Sequence, residues 1–203
     1  MPGNRKALER EIAQITGQGR LPPGQVLTEK WPVLHEGTVP AFHPATWDLR
    51  LFGRVEAPVR LTYPEFMALP KGRLTSDIHC VTRWTKFDCE WEGVSAAEVV
   101  RRVSLGQGVT HVLVHGEQGY SANLPLGDLL DETVLFAYRM NGEDLTPEHG
   151  WPLRLLVPKL YLWKSVKWVR GVEFLDRDRP GFWERYGYHI YGDPWREQRY
   201  SDD

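Results

Sequence analysis

The sequence predicts an α+β fold, with mixed sheets and short helices in a single domain. Three observations lead there. Apolar and polar residues alternate over short stretches, the period of half-buried strands. Two short apolar runs each follow a capping-box pattern, which marks a helix start. Strands and helices then interleave irregularly, without the regular alternation of a parallel α/β sheet. Composition agrees: of 203 residues, 41% are hydrophobic and 26% charged, which suits one packed domain of ordinary size.

Taken in order, Leu8, Ile12 and Ile15 share one face of a helix predicted over 5–15, which Gly17-Gln-Gly-Arg-Leu-Pro-Pro-Gly ends. Residues 1–30 read as this helix plus an extended arm, and 31–203 as the domain proper. Trp31-Pro-Val-Leu-His-Glu-Gly-Thr-Val-Pro is a proline-bounded loop. Thr46 to Gly53 places Trp47, Leu49 and Leu51 on one side of a strand. Thr62 and Glu65 form a capping box ahead of a short helix, as do Ser95 and Glu98. Arg73–Val81 is a strand running into a loop at Cys80. Thr110–His115 is an apolar strand, and Ala122 to Leu130 leads into a short helix. Val134–Met140 is a strand closed by Asn141-Gly142, a strong hairpin signal. Leu153–Pro158 and Ser165–Leu175 complete the strands. The tail from Arg177 to Asp203, rich in aromatic and charged residues, is expected to wrap irregularly.

A net charge of −2 gives no footprint for nucleic acid or an anionic membrane surface. No window approaches the roughly 18 apolar residues of a membrane span. The N-terminus has no apolar core of a signal peptide, so a cytoplasmic chain with reduced cysteines is expected. Cys80 and Cys89 do not make a metal-type C-x₂-C pair, and a disulfide between them is the less favoured reading. Nine Trp, with eight Tyr and seven Phe, are the unusual feature. Large aromatics fill cores and also build rigid pocket walls.

Two constellations bear chemistry. Cys80 sits in Asp77-Ile-His-Cys-Val-Thr-Arg-Trp, with Arg83 three residues on. As a thiolate it is a metal ligand or nucleophile, and as a thiol it is a small buried hydrophobe. His79 beside it is expected on the opposite face of the strand. The second constellation joins His149 and Arg154, which flank a Gly-Trp-Pro turn, to Lys164, Ser165 and Lys167. Arg offers a fork for phosphate oxygens, Lys a point charge, and Ser with backbone N–H groups completes an anion cage. These residues read equally as surface charges at hairpin ends. No Walker, Rossmann, H-E-x-x-H or G-x-S-x-G pattern is present.

Three segments, in order, resemble the molybdopterin-binding domain of the sulfite oxidase family, most of all its small prokaryotic stand-alone members. They are Asp77 to Trp84 with Trp91-Glu-Gly-Val, Glu148-His-Gly-Trp-Pro-Leu-Arg-Leu-Leu-Val-Pro, and Trp163-Lys-Ser-Val-Lys-Trp-Val-Arg-Gly-Val-Glu-Phe. The likeness runs from about Trp31 to Tyr200. It implies a sulfite oxidase-like fold and a Mo-molybdopterin cofactor. Cys80 falls at the position of the family's molybdenum-ligating thiolate, and Cys89 has no such role. The pterin-phosphate anchors fall on His149, Arg154, Ser165, Val166 and Lys167, Val166 acting through its backbone. His35, Thr38, Val39 and His115 fall where related enzymes touch the cofactor. Arg83 and Tyr120 become candidates for the substrate pocket. Animal members carry a Gly-Asn-Arg-Arg-like run after the cysteine, whereas this chain has Val81-Thr-Arg-Trp.

The resemblance implies two-electron oxygen-atom transfer on a small-molecule oxyanion or an S- or N-oxide, in either direction. With no heme or iron–sulfur ligand set of its own, the chain is expected to exchange electrons with a separate partner. Two other classes are a non-catalytic molybdopterin-binding carrier or interaction module, and a metal-free thiol enzyme using Cys80.

Overall fold

The computed structural model describes residues 19–203; the helix predicted over 5–15 lies outside the described residues. Among the described residues, eleven strands form two sheets. The first sheet has six: β1 (Val26–Leu27), β4 (Gly72–His79), β5 (Trp84–Ser95), β8 (Leu135–Met140), β9 (Glu143–Asp144) and β10 (Arg154–Leu156). Its spine runs β1-β5-β8-β10, with β4 on β5 and β9 on β8. The second sheet has the order β3 (Val59–Thr62), β2 (Asp48–Gly53), β11 (Val169–Leu175), β6 (His111–Gly116), β7 (Ser121–Pro125). Pairing is antiparallel except at β1/β5 and β2/β11, so the sheets are mixed, as the sequence predicts.

The first predicted capping box forms in full and the second in half, since the Glu98 carboxylate pairs with Arg101 and Arg102 instead of returning to Ser95. Thr62 and Glu65 bond reciprocally at the start of α1 (Tyr63–Met67). The Ser95 hydroxyl accepts the Glu98 N–H ahead of α2 (Ala96–Val100). Two further short helices are α3 (Leu126–Leu129) and α4 (Phe182–Arg185). Asn141 and Gly142 both take positive φ in the two-residue turn between β8 and β9, as a primed hairpin turn needs.

The main core lies between the sheets. Leu49, Leu51, Val112, Val114, Val172 and Phe174 meet Val94, Phe136 and Leu155 there. The alternate residues of the first sheet, Cys89, Trp91, Leu135, Ala137 and Leu156, face the other way. They pack with Cys80, Tyr161 and Trp163 under a cover of loops and tail. A sheet buried on both faces explains why Leu135-Phe-Ala-Tyr and Leu153-Arg-Leu-Leu-Val read as nearly continuous apolar runs.

Three departures from the sequence reading have physical causes. The longest strand, β5, has no clean alternation, because Asp88 sits at φ 53° in a bulge where the β4–β5 register shifts. Residues 165–168 are not strand: they follow a 3₁₀ turn at Leu162–Lys164, and Trp168 has φ 52°. The arm is partly sheet, since β1 adds to the Cys80 end of β5 at Trp84 and Thr85.

Candidate active site

Cys80 is placed by a hairpin. β4 ends at His79, and the Arg83 N–H donates to the Cys80 carbonyl at 3.0 Å. The Cys80 N–H donates to the Trp84 carbonyl at 2.9 Å, and Arg83 adopts φ 70° to close the turn. The turn hands Cys80 to a cavity of about 310 Å³, within the range of small-ligand sites. Cys80 is 7% exposed, with Sγ 3.1 Å from the Thr82 hydroxyl. Burial pushes its thiol up, while Thr82, Arg154 and Arg199 pull the other way.

Arg154, Ser165, Lys167, Tyr120 and His35 line the same cavity. Arg154 projects from β10, is 3% exposed, and donates from Nη1 to the His149 carbonyl at 3.0 Å. Its Nε is buried with no hydrogen-bond partner. Desolvation pushes the guanidinium down to about 10. Lys167 donates to the carbonyls of Leu34 and Glu148 at 2.6 and 2.7 Å, and burial beside Arg154 pushes its ammonium down to about 7. The Ser165 Oγ accepts the Val157 N–H at 2.9 Å, which leaves its O–H free to donate.

His149 stands one step back. Its ring stacks on Trp31 at 3.9 Å and bonds Thr146 Oγ1 and the Trp31 carbonyl, and desolvation lowers its basicity. Trp31 also lies 5.4 Å from the Arg154 guanidinium, a cation–π distance. Val166 is fully buried. Its N–H donates to the Lys164 carbonyl and its own carbonyl accepts from Leu155, so both backbone groups are already engaged. Tyr120 donates its hydroxyl to the Trp163 carbonyl at 2.7 Å, and desolvation holds the phenol well above its ordinary range.

Other predicted residues lie outside the cavity lining. His115 bonds Glu173 at 2.9 Å beside Phe52 on the β6/β11 ladder. Thr38 is held by Gln118, and neither it nor Val39 reaches the cavity wall. Arg83 is exposed on its turn and is not among the lining residues. His79 is buried against Thr85 and Trp195 instead. The aromatic wall itself goes unassigned in the sequence reading: Trp31, Trp84, Trp163, Trp168, Trp183 and Tyr188 all face the cavity. The tryptophan count is its only signal.

Among the described residues, no three His, Cys, Asp or Glu side chains gather as a metal cage, and no helix is long and apolar enough to cross a membrane.

Against known proteins, the sequence model of the oxidoreductase molybdopterin binding domain matches residues 36–183. The chain is 47% identical over 191 residues to the uncharacterized oxidoreductase YuiH of Bacillus subtilis, covering 94% of this chain and 96% of that protein. It is 28% identical to the catalytic subunit of the protein-methionine-sulfoxide reductase MsrP of Gluconobacter oxydans, over 74% of this chain and 54% of that one. Identity to the sulfite oxidase of Gallus gallus is 27%, over 82% and 44% of the two chains. The chain thus spans about half the length of these last two relatives. The fold superposes on the sulfane dehydrogenase SoxCD of Paracoccus pantotrophus with a TM-score of 0.66 at 22% identity, covering 75% of this chain and 43% of that one.

Proposed function

The chain belongs to the oxidoreductase molybdopterin binding domain family and is a molybdopterin-dependent oxidoreductase; from that premise we propose two-electron oxygen-atom transfer at a molybdenum held by Cys80. One observation carries the reading. A single cavity has a buried cysteine in its wall and, also in its wall, a buried arginine whose Nε lacks an acceptor.

The residues fit the cofactor. A buried guanidinium with an unused donor is costly unless an anion completes it. A pterin phosphate brings such oxygens, and Lys167 and Ser165 supply further donors in the same wall. Cys80 would supply one soft thiolate to a metal also held by the dithiolene sulfurs that the pterin brings. When bound, the cofactor supplies a metal that changes oxidation state by two electrons as an oxygen atom is gained or given up.

The chain's own residues do the rest. Arg154 and Lys167 bind the phosphate, and the His149 carbonyl orients the Arg154 fork. Trp31 stacks on His149 and lies within cation–π distance of Arg154, and so helps to fix both. Cys80 loses its proton on metal binding, because only the thiolate is a ligand. Tyr120 keeps its proton at neutral pH and commits it to the Trp163 carbonyl, so it braces the wall and would donate to a substrate oxygen only by releasing that carbonyl. The tryptophan wall excludes water. Sulfite-type oxidation and S- or N-oxide reduction are the same chemistry in opposite directions. In either, a separate electron-transfer partner exchanges the electrons. A cytoplasmic setting is part of the proposal, and the free thiols of Cys80 and Cys89 suit a reducing compartment.

The test is metal and pterin analysis of the purified protein, with dye-coupled oxidation of sulfite run against dye-coupled reduction of methionine sulfoxide. Near-stoichiometric molybdenum retained by Cys80→Ser sinks the ligand role. Full molybdenum with turnover in neither direction leaves a carrier.

A further inference from the structure

Resting on the reading just given, we propose that Trp183 and Tyr188 of the C-terminal tail are specificity-determining residues. With Trp163 they wall the cavity beside Cys80 and select organic S- or N-oxides by the apolar group on the reacting atom.

Geometry comes first. The Trp183 and Tyr188 rings stack at 5.0 Å and 20°, and Tyr188 meets Trp163 edge-on at 5.0 Å and 77°. All three line the cavity together with Cys80. All three also pack on the apolar cluster that contains Cys80. The result is a corner of aromatic faces on the thiol's side of the cavity.

The corner is held rigidly. Trp163 Nε1 donates to Glu184 Oε1 at 2.8 Å, and Glu184 is locked to Lys164 at 2.6 Å. The Tyr188 N–H donates to the Trp183 carbonyl at 3.0 Å. Gly192 packs directly against Trp163, where an added Cβ would meet the indole at 2.7 Å. Rings so fixed lose little entropy when a ligand packs on them.

Charge points the same way. The lining Arg and Lys side chains are Arg154 and Lys167, both assigned to the pterin phosphate, and Arg83 lies outside the lining. Beyond those two the lining holds no Arg or Lys to offset the desolvation of a free inorganic dianion; Arg199, which bears on Cys80, lies outside the lining with Nη1 on the Val81 carbonyl. An alkyl or aryl group would gain aromatic contact in the corner. The family match takes in Trp163 and ends at Trp183, with Tyr188 just beyond it.

For an S-oxide the step balances as R₂SO plus two electrons and two protons giving R₂S and water. The S–O bond breaks and the oxygen leaves as water. Reduced benzyl viologen, a one-electron donor used twice per turnover, supplies the electrons in the assay.

The experiment compares methyl phenyl sulfoxide with dimethyl sulfoxide as substrates of the molybdenum-loaded enzyme. The wild type should favour the aryl oxide in kcat/KM by about tenfold, the scale of one good aromatic contact. Trp183→Ala and Tyr188→Ala should bring that ratio to within about twofold of unity, while Trp183→Phe and Tyr188→Phe, which keep a ring, should retain most of it. An unchanged ratio in both alanine variants overturns the proposal, as does a wild type that prefers sulfite to every organic oxide. A calorimetric titration with methyl phenyl sulfone, an unreactive analogue, reads binding without turnover. Tail-dependent binding in the absence of any turnover keeps the aromatic selector and sinks the oxygen-transfer reading alone. No binding by the wild type sinks the selector.

Discussion

Lys164 Nζ and Glu184 Oε1 meet at 2.6 Å, with each side chain only 1% exposed. Lys164 sits in the 3₁₀ turn before β11 and Glu184 in α4, so the pair ties the C-terminal tail to the cavity wall. The ammonium also donates to the Asn123 Oδ1 and to the Ile190 carbonyl, both at 2.7 Å. Removing one member of a buried pair leaves the other charge uncompensated, at about 3–5 kcal/mol. Lys164→Met should therefore lower the urea midpoint severely with no change in slope. Glu184→Gln should cost less, because Lys164 keeps its carbonyl and amide acceptors and Trp163 keeps its own. Equal losses would mean that the carbonyl and amide acceptors do not compensate Lys164 for the lost carboxylate.

Arg154 should behave in opposite ways with and without cofactor. Losing a charge-assisted contact to a buried phosphate costs roughly 1.5–3 kcal/mol, or about 10–100-fold in affinity. Arg154→Ala should accordingly be purified with little molybdenum and pterin. Arg154→Lys, which keeps the charge but loses the fork, should fall between. In cofactor-free protein, Arg154→Met should be no less stable than wild type, since it removes a buried cation whose Nε has no partner. Molybdenum content and thermal unfolding of the same preparations check both halves.

The Cys80 thiol should be sluggish until metal arrives. Its pKa is pushed above the ordinary 9.0 by burial, and that of Cys89 is pushed further, to about 11. Alkylation by iodoacetamide depends on the thiolate. In cofactor-free protein the Cys80 rate should still be climbing past pH 9, with Cys89 slower at every pH. Peptide mass spectrometry resolves the two sites. A Cys80 rate already flat at pH 7 would contradict the burial argument.

How far the site was legible depended on whether its residues carry local signals. Thr62/Glu65 and Asn141-Gly142 announced a helix start and a turn because caps and primed turns need particular side chains at fixed offsets. Cys80, Arg154, Ser165 and Lys167 stood out by chemistry and meet in one cavity. β5 did not stand out, because the Asp88 bulge breaks the period that marks a strand. The aromatic wall was hidden for another reason. Trp31, Trp163, Trp183 and Tyr188 converge from distant segments, and an indole reads the same in a core as in a pocket wall. His115 sits on the β6/β11 ladder bonded to Glu173 and outside the cavity lining, a placement that sequence position does not reveal.

Asp48 should set much of the acid limit of stability. It opens β2 and is 1% exposed. Burial alone pushes its carboxyl up, but Arg170, Arg60 and Arg50 more than offset this and hold it at about 2, against 3.8 unfolded. Arg60 lies on β3 and Arg170 on β11, so one carboxylate links three strands. The folded pKa is depressed, so the contribution is fully present above the unfolded value. It is lost as pH falls from about 5 through 3.8 toward 2, and amounts to about 2 kcal/mol. Wild-type stability should therefore drop across that window in urea titrations at fixed ionic strength. Asp48→Asn should be less stable at pH 7 and should flatten the drop, leaving the two proteins closest in stability near pH 2. A mutant whose acid limb ran parallel to that of the wild type would assign the loss to other carboxylates.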